Sequence, residues 1–170
     1  MTSIIHTEDN GLFSKKIAEK AIEIVTPAII PIIKDRGDES NGLLPNGNGL
    51  IIYVGDIHGK ILAARRWDST QEWFAPYDQI ALSKFNLTVE TRKPSREIQS
   101  MTPELANSGR YTYYWGSDID GGIVVACSGV DPEWDEAICK MICAAIRAMV
   151  TKQIKQGSAE PGKHFRDGFD

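Results

Sequence analysis

The chain has 170 residues, 42% of them apolar and 25% charged, which fits one globular domain with a sizeable core and excludes a disordered chain. A formal charge of −4, spread along the sequence without a basic stripe, argues against nucleic acid as a partner. No segment approaches the ~20 apolar residues of a membrane span, "MTSIIHTEDNG" is no signal peptide, and an odd three cysteines suit a reducing compartment, so the sequence reads as cytoplasmic.

Phe13, Ile17, Ala21, Ile24 and Val25 fall at helical spacing within residues 12–26 and predict an amphipathic helix. Pro27 and Pro31 each remove a backbone donor, so a kink or restart is expected at Thr26, with the apolar run around them serving as core or as a subunit contact. Residues 34–49, rich in Gly, Asn, Asp and Pro, read as an exposed loop. Apolar runs at 50–54 and 61–64, separated by Gly55, Asp56, His58 and Gly59, predict a β-hairpin. A second long helix starts at Pro76, carries Ile80, Ala81, Lys84, Phe85 and Thr88, and stops before Pro94. "REIQSMTPELAN" holds a short helix or two. "RYTYYW" and "GGIVVACSG" then predict a second hairpin around the turn residues "GSDIDGG". Asp131 caps a last helix that has Pro132 first, Glu133, Asp135 and Glu136 in its opening turns, and Ile138, Ile142, Ala145 and Met149 as its buried stripe. The aperiodic residues 156–170 read as a flexible tail behind a domain spanning 1–155.

Helix, hairpin, helix, hairpin, helix is the order of an α+β domain in which an antiparallel sheet is flanked by helices. Two blocks add a family resemblance. "GDIHGKILAARRWDSTQEWFAPYDQIALSKFNLTVETRKPS" has an aspartate–glycine turn, a strand ending in Arg-x-Asp, and a helix with a Lys and a Thr; "GGIVVACSGVDPEWDEAI" has a small-residue strand, Ser-Gly and an acidic helix start. Together they resemble the GlcG/HbpS family. The resemblance implies a profilin-like single domain, often assembled into homo-oligomers, whose studied members bind haem or are linked to its breakdown.

The candidate residues follow from chemistry. Cys139 and Cys143 form one close pair without a second, and with Cys127 they lie on apolar faces, so they read as buried filler and no metal site is expected. Arg65, Arg66 and Asp68 end a strand; they make either a surface ion pair or a fork for a ligand carboxylate. Lys84 reads as a second positive point in a pocket or a subunit contact, against the alternative of a snorkelling side chain. Trp67, Tyr113 and Trp115 could line an apolar pocket, and His58 or His6 could ligate haem iron. Haem is the one cofactor brought in by the resemblance. The function classes are a protein binding haem, a tetrapyrrole or another planar carboxylated small molecule; a cofactor-independent isomerase, cyclase or lyase using Asp68, Lys84, Asp118 or Tyr113 as acid and base; and a structural assembly subunit. Phosphate-loop, Rossmann, zinc-protease and serine-hydrolase motifs are missing from the sequence.

Overall fold

The computed structural model describes residues 13–34, 49–68 and 72–158. Residues 35–48 of the expected loop, nearly all of the tail and His6 lie outside them. Strands β1 (Leu50–Asp56), β2 (Ile61–Trp67), β3 (Ser117–Asp120) and β4 (Ile123–Ser128) form one antiparallel sheet in the order β2-β1-β4-β3. Helices α1 (Lys15–Lys34) and α5 (Pro132–Ser158) cover one face, and α2 (Tyr77–Thr91) covers the other, with α3 (Ser95–Met101) and α4 (Pro103–Ala106) following it. The result is the expected α+β domain. Because both faces are covered, the central strands read as nearly unbroken apolar runs.

The main core lies between the sheet and the pair α1 and α5. Ile52, Val54, Ile123, Val125 and Cys127 meet Ala21, Ile22, Val25 and Ile29 of α1 and Ile138, Cys139, Ile142, Cys143 and Ile146 of α5. All three cysteines are free and buried there, as their apolar neighbours suggest. A smaller cluster on the opposite face packs Phe85 of α2 against Val124 and Ala126, with Tyr53 beside it.

Three expectations need correction. First, α1 does not restart at Thr26 but runs through both prolines. Pro27 and Pro31 sit four residues apart on the exposed side, so their missing N–H groups fall where water serves the orphaned carbonyls. Thr26 Oγ1 donates back to the Ile22 carbonyl at 2.7 Å instead of capping a new turn. Ile24, expected on the buried stripe, is 52% exposed.

Second, the second hairpin uses different residues. The strand before the turn is Ser117–Asp120, inside the stretch read as turn, and Gly121 makes the actual turn with φ +60°. Residues 111–115 are not a strand. Their backbone is held from outside the sheet: Thr112 N donates to Ser83 Oγ on α2 at 2.9 Å, and Gln99 Nε2 of α3 donates to the Tyr113 carbonyl.

Third, α5 passes the expected domain end at 155 and reaches Ser158; its 27 residues span about 40 Å. Its start was legible, with Pro132 first and Glu133 and Asp135 in the opening turn. Gly129 precedes it at φ +136°, where a side-chain carbon would overlap the Gly49 carbonyl, so only glycine lets the end of β4 cross the start of β1. None of the described helices is long and apolar enough to cross a membrane.

Candidate functional site

Pairing across the hairpin decides which face each strand-end residue takes. Arg66 lies opposite Ile51 and Arg65 opposite Ile52, so the two arginines point to opposite sides of the sheet. Arg65 shares the α1 side with Trp67, and its guanidinium stands 5.2 Å from that ring's centre. Trp67 itself is buried core. Arg66 shares the α2 side with Tyr53, at the open edge of the sheet.

Arg66 makes two contacts there. Its guanidinium carbon lies 3.8 Å from the centre of the Trp73 ring, and its Nε donates to Asp68 Oδ1. Trp73 is fixed in turn: its indole lies against Gly49, where any side-chain carbon would collide with it, and its ring meets Tyr77 at 5.5 Å between centroids. Around this stack opens a cleft of about 470 Å³, lined by Arg66, Asp68, Glu72, Trp73, Phe74, Pro76 and Asp78 among others. That volume suits a small planar molecule. The described lining brings three carboxylates to one guanidinium. Tyr53, close behind, has its hydroxyl pKa raised by burial and by Asp78, with Arg66 pulling it down.

The other expected site residues do not join this cleft. Lys84 is 1% exposed; its Nζ donates to the Cys127 carbonyl at 2.7 Å and to Asp135 Oδ2 at 2.9 Å. Asp135 is as deeply buried, and its second oxygen accepts from Val130 N at 3.2 Å and faces Cys127 Sγ at 3.5 Å. Gly116, at φ +133°, gives this pair room, because a side-chain carbon there would stand 2.9 Å from Nζ. Lys84 is thus a buried tie between α2, β4 and α5, with every strong contact internal.

Asp118 lies on the far edge strand. It pairs with Val125, which faces α5, so it is on the opposite face from Arg66, separated by about 14 Å across three strand spacings and by about 10 Å more along the strands. Burial raises its carboxyl above the ordinary range, with Lys140 drawing it down and Glu136 and Asp120 pushing it up. Tyr113 is 58% exposed and bonds through its hydroxyl to that of Tyr114 at 2.6 Å. Trp115 is half-buried, with its indole nitrogen buried and lacking a hydrogen-bond partner among the described residues. His58 is exposed in the β1–β2 turn, where its backbone N–H donates to Asp56 Oδ1 at 2.8 Å. β2 carries the chain about 17 Å from that turn to Arg66. Among the described residues, no three His, Cys, Asp or Glu side chains gather as metal ligands.

Of the residues expected at a site, Arg66 and Asp68 line this cleft, and Glu72, Trp73, Phe74, Pro76 and Asp78 line it beside them without having been expected there. The usable signal was the density of aromatics just after the strand end.

No family model and no curated protein matches the chain. Among solved structures, it is similar to the Klebsiella pneumoniae protein ORFY, described under the family model DUF336, with 19% identity and a TM-score of 0.58 over 80% of this chain and 91% of that one. HbpS gives 17% identity and a TM-score of 0.55 over 85% of this chain and 92% of its own. The Ybr137w protein gives 15% and 0.56 over 78% of each. These likenesses show that the chain has the same fold as these proteins.

Proposed function

We propose that this chain is a small-molecule-binding protein of the GlcG/HbpS type, which takes a planar carboxylated ligand, haem or a tetrapyrrole being the first to test. The observation that carries the reading is the Arg66–Trp73 contact in the edge cleft, a cation over an aromatic ring beside open volume. A planar ligand continues the stack over Trp73 or Phe74, while the outer edge of the Arg66 guanidinium receives its carboxylate. The sequence resemblance and the fold shared with HbpS support the same class. Iron ligation by His58 has no support, because that side chain lies at the other end of the hairpin.

Haemin titrated into the purified protein tests the reading. A saturable Soret shift at one equivalent is expected, weakened about tenfold by either Arg66→Ala or Trp73→Ala. A shift that grows without saturating, or one unaffected by both variants, counts against this cleft.

A further inference from the structure

Resting on that reading, we infer that Asp68 is an internal competitor for the ligand's carboxylate, and so the residue that sets how strongly the cleft discriminates among anions. Asp68 lies two residues beyond Arg66 on the same side of the sheet edge, and its Oδ1 holds the guanidinium Nε. An incoming carboxylate seeks the same donors. It either displaces Asp68 from Nε or accepts a geometry limited to the remaining Nη groups, with the Asp68 charge alongside. Both routes lower affinity for an anion below what Arg66 free of Asp68 would give, and leave a neutral molecule of the same shape nearly untouched.

Neighbouring charge points the same way. Glu72 and Asp78 also line the cleft, and no cation other than Arg66 does so among the described residues. A first carboxylate is met by Arg66 once Asp68 yields, whereas among the described residues a second meets only acidic charges. The ligand class is therefore a flat aromatic carrying a single carboxylate, or one that leaves any further carboxylate in solvent. Asp68 is itself half exposed and packs into no core cluster, so replacing it changes charge without opening a cavity.

The test uses calorimetry on the full chain with three probes: naphthoate, neutral naphthamide and a naphthalene dicarboxylate. Asp68→Asn should tighten naphthoate about fivefold to tenfold, through loss of both the competing pair and the like charge, and should move naphthamide less than twofold. In the parent protein the dicarboxylate should bind no better than naphthoate. Asp68→Ser, which removes the charge by a different side chain, should repeat the gain. If both variants leave naphthoate unchanged or weaker while Arg66→Ala abolishes its binding, the inference is wrong and the cleft remains the site. If neither the parent nor Asp68→Asn binds naphthoate or haemin, the cleft reading falls and the inference falls with it.

Discussion

Replacing Lys84 by Met removes one half of an ion pair whose side chains are 1% and 3% exposed. Asp135 keeps its contacts with Val130 N and Cys127 Sγ, but its charge then faces a thioether and a backbone carbonyl instead of an ammonium. Breaking a buried pair on one side costs about 3–5 kcal/mol, most of it from the charge left behind. For a chain of this size each kcal/mol lowers the melting temperature by about 2–4 °C, so a fall of roughly 6–20 °C is expected. Urea unfolding of Lys84→Met, Asp135→Asn and the double variant measures the coupling directly. The double variant should recover at least half of the loss, because no unpaired charge remains. A single-variant cost below about 1 kcal/mol, or a double variant no more stable than Lys84→Met, would refute the account of Lys84 as a buried tie. It also follows that lost activity in Lys84→Met says nothing about catalysis until its stability is known.

Two further outcomes are expected. Burial pushes the thiols of Cys127, Cys139 and Cys143 up, so none should react with iodoacetamide in the folded protein at neutral pH and all three should react in denaturant; rapid labelling of any one in the native state would contradict the packing. Burial also raises Asp118, so in the pH range between its unfolded and folded pKa values the native state holds a proton that the unfolded chain has released. Stability from this group falls as pH rises from about 4 through the folded value; Asp118→Asn should flatten that fall in urea midpoints taken across the range, and parallel profiles would exclude it.

What was legible in the sequence was whatever local pattern fixes. The β1–β2 hairpin, α2 and the start of α5 each carry their own period and their own stop or start residues. β3 was hidden because its four residues include one apolar side chain, Ile119, between two aspartates that face α5. The stretch "RYTYYW" has strong strand propensity, yet its backbone is engaged by side chains of α2 and α3 rather than by a ladder, a tertiary override of local preference. α1 crosses two prolines because both fall on its solvent side, which depends on where the helix docks. The site divides in the same way. Alternation put Arg66 and Asp68 together on one face, since Asp68 directly follows the end of the strand that carries Arg66. Lys84 and Asp135 are 51 residues apart, and no spacing rule could pair them. Aromatic content could not tell Trp67, which is core, from Trp73, which walls the cleft.

The placement of β4 beside β1 has a consequence for the time course of folding. Ile51 pairs with Ser128, and the apolar stripe of α1 finds its cover on α5, so the earliest part of the chain waits for the last elements to arrive. During synthesis, α1 and the β1–β2 hairpin can pack on each other as they do in the finished fold, but they leave the ribosome with the faces that β4 and α5 cover still open. Such non-local closure raises contact order and slows the rate-limiting step. Until α5 emerges, apolar surface that it covers in the finished domain stays exposed, the condition under which partly folded chains aggregate.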